Sequence, residues 1–423
     1  MSFATSLSGL TAASRAIDVI GNNIANSQTI GFKSSSARFA DVLAASATGE
    51  PSSGAASAGV SAEIINQKFD QGVALQSDNP IDMAITGPGF FRLNNGGAIT
   101  YSRDGQFGLS YDTGTSGQFA LVNRSGLNVT GYAADYGTDP QGVIVTTAAP
   151  QDILIDPVMP AAATSRVLVG ASLDAQAAPP AMAPFAANNE QTYNDSTAVT
   201  VFDVSGATHE LRLYFSKSLP GNNWDLHTTL DGIAQTGPVN LGFDTNGLLT
   251  TAMPLAAQTY ALGGGGNLSI TLDLGKTVQY GNPFSVSAIT QDGYGAGAID
   301  GAVGLRVGND GVIQAYYSNG QSRKVAQVVL ANFINPNALI SLGDNQWMAN
   351  ADPVKGSGTE LLDTPLGNRG FGLGSIQGAA REQSNVDLTV ELVALIEQQR
   401  NYQASAQTFK ILDQVLQNLA NAT

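Results

Sequence analysis

Two histidines, His209 and His227, are the side chains of this sequence that titrate closest to neutral pH, so they are the first candidates for acid–base or metal chemistry. They lie in ATHELRLYF and NWDLHTTLDG, both strand-like in composition, and no HxxxH or comparable cluster accompanies either. Both read as ordinary strand-face residues. Asp152 and Asp156 in DILIDP supply the paired carboxylates that glycoside hydrolysis uses, but they flank a short apolar run beside a proline and read as loop-edge acids. Glycine runs at Gly263 to Gly266 and in GYGAGAIDG lack the Lys-Ser/Thr of a phosphate loop and the following helix of a dinucleotide site. Cysteine does not occur, which excludes disulfides, thiolate metal sites and a cysteine nucleophile. The cation pair Arg323-Lys324, just past a turn, reads as a solvated face. No catalytic, cofactor-binding or metal-binding constellation emerges. The expectation is a non-enzymatic structural subunit.

What the chain does hold in a pattern is apolar residues at its two ends. In the first segment Phe3, Leu7, Leu10, Ile17 and Ile24 fall at coiled-coil spacing with Ile20 beside them. In the last, Leu388, Leu395, Tyr402, Phe409 and Leu416 recur every seven residues, flanked by Leu392, Ile396, Leu412, Val415 and Leu419. The preceding Ser384-Asn385-Val386-Asp387 can cap a helix, which would run about 50 Å at 1.5 Å per residue. Between Gln398 and Thr423 only Arg400, Lys410 and Asp413 are charged, and glutamine and asparagine make up most of the remaining polar residues. A water-facing helix normally carries Glu and Lys pairs, so an amide-rich face suits packing against other helices. The expected behaviour is that subunits bury each other's stripes, with the ends ordering on assembly.

Between about residues 70 and 375 the texture is β. Asp104-Gly105, Asp231-Gly232, Asn246-Gly247, Asp310-Gly311 and Asn319-Gly320 each suit a tight hairpin turn with positive φ. The clearest hairpin pairs Val312 to Tyr317 with Arg323 to Phe333 around Asn319-Gly320. Ala/Pro-rich stretches near residues 150 and 180 mark entry into a separate domain, with Gly281-Asn282-Pro283 as its exit.

The resulting fold class is an α+β multidomain chain, its terminal helices forming a coiled-coil inner domain with nested all-β domains between them. Residues 1–33 with 380–423 would be the helical domain, and 34–71 a linker or a loop ordered by partners. Residues 72–145 with 285–379 would be a middle β domain, and 146–284 an inserted outer β domain.

Composition limits the partners. Over 423 residues the formal net charge is −15, a field that repels nucleic acid. No window approaches the roughly 20 apolar residues that cross a bilayer, so no membrane insertion is expected. The N-terminus lacks the basic region and continuous apolar core of a secretory signal, so export, if it occurs, is expected without a cleaved signal peptide.

At the same terminal residues the sequence resembles the flagellar axial family of rod and hook proteins. Gly9 to Ala44 resembles its N-terminal signature through Asn22, Asn23, Ile24, Ala25, Asn26, Gly31, Phe32 and Lys33. The C-terminal stretch matches through Ser384, Asn385, Val386, Asp387, Leu388, Gln399, Arg400, Tyr402, Ala404 and Gln407. A third stretch, NPIDMAITGPGFFRLNNGGAITYSRDGQF, matches through Asp82, Gly87, Gly89, Phe90, Phe91, Tyr101, Arg103, Gly105 and Phe107. The segment 146–284 carries no motif that can be matched.

The resemblance implies a self-polymerising subunit exported through the flagellar type III apparatus and located outside the cell, in the hook or basal body. It implies terminal helices lining a tube, with Leu7, Leu10, Ile17, Ile20, Ile24, Asn23, Asn26, Leu388, Leu392, Leu395, Tyr402, Phe409, Leu412 and Leu416 as its assembly residues. The implied partners are further copies of the chain, the hook cap protein, the distal rod protein, the filament-junction protein, the hook-length control protein and the export apparatus. Length and the large insert favour a hook role over the distal rod. From another class, a secreted β-rich glycan-binding protein or enzyme could share the Gly/Asn-rich middle.

Overall fold

The computed structural model describes residues 3–43, 57–111, 117–137, 139–219, 221–234, 237–263, 265–352, 356–365 and 372–422. Within these, side chains are described except at 3–5, 41–43, 57–64, 416 and 418–422, so Phe3, Leu416 and Leu419 of the apolar stripes lie outside the described side chains. The chain is mostly β, with a long helix at each terminus, α1 (Phe3–Ala25) and α2 (Leu388–Ala422). It divides into two compact units. The first comprises Met1–Pro157, Ile299–Tyr316 and Ser322–Thr423; the second comprises Val158–Ala298 with Tyr317–Gln321.

In the first unit an antiparallel sheet runs Leu305–Val307, Val312–Tyr316, Ser322–Val328, Asn128–Asp135, Phe90–Asn95, Ala98–Ser102, Gln346–Met348 and Ile340–Gly343, neighbour to neighbour. An aromatic cluster of Phe90, Tyr101, Phe333 and Trp347 is buried here, with Phe69 packed against it. Tyr101 and Phe333 meet edge to face at 4.7 Å, the geometry that ring quadrupoles favour. The Trp347 indole satisfies its donor on Gln67 Oε1 at 2.7 Å.

Several local expectations are corrected. The hairpin around Asn319-Gly320 is present, but the apolar run beyond it divides. Leu330–Asn332 leaves the hairpin to pair with Phe90 and Phe91 on one side and Leu361–Asp363 on the other. Asp231-Gly232 makes the expected turn, with φ of 49° and 81°. Asp104-Gly105 makes no hairpin, because the strands on either side of it pair with other strands. Gly105 is needed for proximity. Its carbonyl accepts from Met83 N at 2.9 Å, and a Cβ at this position would strike the Met83 carbonyl. Residues expected to form a linker hold instead a ribbon, Ser35–Leu43 antiparallel with Ser57–Gln67. The intervening residues 44–56 lie outside the described set. Small residues hid the strands from a reading based on apolar alternation.

The second unit packs two five-stranded sheets around one core. In the first sheet Arg166–Asp174 pairs in parallel with Asn267–Asp273 and Val278–Tyr280, and antiparallel with Ser285–Gln291. The second is an antiparallel meander of Asp195–Phe202, Thr208–Ser218, Asn223–Leu230 and Ile233–Ala234, with Val239–Gly242 on Asn223–Leu230. Alternate residues point inward, and Val167, Val169 and Leu173 of one sheet share a core with Leu211, Leu213, Phe215 and Trp224 of the other.

Both histidines lie on strands of this meander. His227 stacks flat on Phe185 at 4.1 Å, and burial holds its pKa down. His209 sits between two carboxylates, with Nδ1 2.6 Å from Asp231 Oδ2 and Nε2 3.6 Å from Asp203 Oδ2. Its pKa is raised, first by the hydrogen bond to Asp231. Among the described residues no group of three or more His, Asp or Glu is placed to hold a metal ion. In the first unit Asp152 is taken up by two amides, from Asn94 and Asn128, each at 2.8 Å.

Candidate assembly surface

The two terminal helices pair with each other, and their direction follows from two contacts. Asn23, near the end of α1, donates through Nδ2 to Glu391 near the start of α2 at 3.1 Å, while at the opposite end of α1 a Cβ on Gly9 would come 3.5 Å from Ser405 Oγ. Equal steps back along α1 and forward along α2 separate these contacts, so the helices are antiparallel.

The seam on α1 is made of small residues. Ser6, Ala13 and Ala16 are buried and fall with Gly9, Ile20 and Asn23 at alternating three- and four-residue spacing. On α2 the less exposed residues Glu391, Leu395, Gln398, Ser405, Phe409 and Leu412 follow the same spacing, with Tyr402 completing the series. Apart from Ile20, which falls within it, the leucine and isoleucine stripe of α1 flanks this seam. Leu7 is exposed and Leu10, Ile17, Ile20 and Ile24 are half-buried. Small residues let the helix axes approach, and large residues remain at the sides.

The result is an unusual apolar exposure on α2. No described side chain of this helix is fully buried, and Leu388, Val390, Leu392, Val393 and Ile396 are 45–62% exposed in its first turns. Ile411 and Val415 are 60% and 56% exposed nearer its other end. Covering a side chain of this size stabilises by roughly 1.5–3 kcal/mol when burial is complete, so the patch is a large unspent driving force for association.

A second constellation fixes where the helices start. Asp387 caps α2, its Oδ1 accepting from Thr389 N at 2.9 Å and Val390 N at 3.2 Å. Just before it, Asn385 accepts from Ser34 N at 2.7 Å and donates to the carbonyls of Lys68 and Asp70. Asn23 grips the other side of this segment, donating to Ser35 O at 2.8 Å and accepting from Ser35 N at 2.9 Å. Asn26 stays within its own turn, donating to Asn22 O and accepting from Thr29 Oγ1. Both asparagines thus bind their own chain.

Beneath them lies a buried ionic cluster. Lys33 Nζ is 2.7 Å from Glu382 Oε1 and donates to Asp70 O at 2.7 Å, while Arg103 Nη1 is 3.2 Å from Glu382 Oε2 and Nη2 donates to Gly87 O at 2.7 Å. Gly72 N adds a third donor to the Glu382 carboxylate at 2.8 Å. Lys33 and Glu382 side chains are 0% exposed and Arg103 is 2% exposed. Burial pulls the pKa of both Lys33 and Arg103 down, and the Glu382 charge opposes it. The approach to this cluster explains Gly31. Its φ is +71°, and a Cβ would sit 2.6 Å from Asp104 N. Motif matching finds Lys33, Arg103 and Asn385 but misses Glu382, which stands beside Arg381 with nothing in the sequence to signal its distant partners.

Comparison with known proteins places these features in a family. Residues 3–33 match the family described as Flagella basal body rod protein, and residues 376–422 match Flagellar basal body rod FlgEFG protein C-terminal. Residues 172–294 match Flagellar basal body protein FlaE D2 domain. This corrects the expectation that the inserted segment matches nothing. Its alternating core positions, such as Leu211, Leu213 and Phe215, form a distributed pattern that a search for contiguous motifs passes over.

A crystal structure of Helicobacter pylori flagellar hook protein FlgE2 covers 72% of this chain and 99% of that chain, with a TM-score of 0.48 at 13% identity. Flagellar hook protein FlgE of Salmonella typhimurium is 38% identical, with 100% of each chain covered. The same protein of Escherichia coli (strain K12) is 39% identical, again over 100% of both chains. At that identity, from end to end of both chains, the chain belongs to the flagellar hook protein family.

Proposed function

We propose that the chain is a structural subunit of the bacterial flagellar hook, polymerising into a curved helical tube that acts as a universal joint between motor and filament. The observation that carries this reading is the antiparallel pair of α1 and α2 with large apolar side chains turned outward, in a chain that matches hook proteins along its whole length. A second copy of the same helices is the simplest cover for that surface.

In this reading the terminal helices form a coiled-coil inner wall, the β part of the first unit a middle layer, and the second unit the outer surface. Leu7, Leu10, Ile17 and Ile24 of α1 would act with Leu388, Leu392 and Leu416 of α2 in the contacts between copies, while Ile20, Leu395, Tyr402, Phe409 and Leu412 would act by holding the two helices together. Asn23 and Asn26 would act indirectly, by setting the helix entry. The subunit would leave the cell through the flagellar export apparatus without a cleaved signal peptide. It would meet the cap, distal rod, filament-junction and length-control proteins, and carry no enzymatic activity. No described helix is long and apolar enough to cross a membrane.

Removing α2 from about Val415 tests the proposal. The truncated chain should form no tubes by electron microscopy while both β units still melt cooperatively. Normal tubes from it would sink the reading.

A further inference from the structure

Tyr317–Gln321 is the tip of a hairpin whose strands, Val312–Tyr316 and Ser322–Val328, belong to the first unit, yet the tip itself is part of the second. There it meets the two short strands by which the chain enters and leaves that unit, Val158–Met159 antiparallel with Gly297–Ala298. Two strands of this length hold together poorly alone.

The tip supplies what the pair lacks. Ser318 N donates to Ala298 O at 2.9 Å, and Ala298 N donates to Ser318 Oγ at 3.1 Å. Asn319 Nδ2 donates to Gly295 O at 2.7 Å and lies 3.9 Å from Met159 Sδ, while its Oδ1 accepts from Gln321 N at 3.0 Å. Both ends of the amide are therefore engaged. A Cβ on Gly297 would come 2.6 Å from Asn319 Cγ, so the neck leaves room for this side chain only because residue 297 has none. Met159 beneath it is 2% exposed. None of these residues belongs to the apolar core of the unit, which is built from the two five-stranded sheets.

We infer that Asn319 is a pin for this neck. While its amide is seated between Gly295 and Gly297, the entry and exit strands stay paired; when it is withdrawn they part, and the core of the second unit stays folded. The pin is chemically specific. An aspartate would face the Gly295 carbonyl with an oxygen in place of the donor, turning an attraction into a repulsion.

Hydrogen exchange on the full chain tests this, comparing the parent with Asn319→Asp and with Gly297→Ala, which displaces the side chain from the opposite direction. In both variants the amides of Ala298 and Ser318 should exchange about tenfold faster or more, while those of the core strand Thr208–Ser218 keep their parent rates. Unchanged neck amides, acceleration in only one variant, or equal acceleration of neck and core would each overturn the inference. If Asn319→Asp fails to fold, Gly297→Ala alone decides it by the same reading.

Discussion

The ionic cluster beneath the helices and the outer face of α2 invert the usual distribution of polarity. Lys33, Arg103 and Glu382 are charged and buried, whereas Leu388, Leu392, Val393 and Ile396 are apolar and exposed. The difference follows from what each region must specify. A buried charge tolerates one set of partners and so fixes how distant segments of one chain meet. An exposed apolar side chain costs little alone and gains when covered, so its reward comes from another molecule.

The largest effect expected from this contrast is at Glu382. Glu382→Ala leaves Lys33 and Arg103 facing each other without a counter-charge and should destabilise the first unit by about 3–5 kcal/mol. The chain's two tryptophans separate the readouts, since Trp347 lies in the first unit and Trp224 in the second. Urea unfolding followed through Trp347, in a Trp224→Phe background, should shift strongly. An equal shift through Trp224, in a Trp347→Phe background, would contradict a cluster local to the first unit.

The opposite behaviour is expected on the helix face. Leu392→Asp with Ile396→Asp should change the stability of the isolated chain by no more than about 1 kcal/mol, since both side chains are already about half exposed. The same variant should lose tube formation, measured by sedimentation and electron microscopy. Tubes at the parent concentration would mean that this face is not a contact between copies.

A smaller loss is expected at the junction of the two regions. Asp387→Ala removes the cap of α2 and should cost about 1 kcal/mol, read as reduced helicity by circular dichroism. Asp387→Ser should restore most of it.

Smallest is a pH effect away from both regions. Because the folded pKa of His209 is raised, its pairing with Asp231 and Asp203 stabilises fully below the ordinary histidine value of about 6.5 and is lost as pH rises through the folded value. The second unit should therefore melt slightly lower above pH 6.5, by less than about 1 kcal/mol, and His209→Gln should flatten that dependence. A wild-type melt indifferent to pH across this range would dismiss the clamp.

The helices were legible in the sequence because a seven-residue apolar repeat survives any context, and Asp387 announced its own cap. Which face of α1 would meet α2 was not legible. A stripe of Leu and Ile outweighs one of Ser, Gly and Ala in any reading of hydrophobicity, though the small stripe is the one that permits close approach. The ribbon of Ser35–Leu43 and Ser57–Gln67 escaped for a related reason, since Ser and Ala carry little strand signal. Glu382 was invisible because a charge declares itself structural only once its partners are known, and they are far away in the sequence.

That distance has a consequence. Lys33 and Glu382 are 349 positions apart, and Asn385 closes on Ser34 across 351. Both cations precede their anion in the chain, so a polypeptide cut anywhere between Arg103 and Glu382 holds Lys33 and Arg103 without the carboxylate that pairs them. In sequence these partners lie on either side of the whole second unit, so closing the first unit is expected to be a slow, long-range folding step.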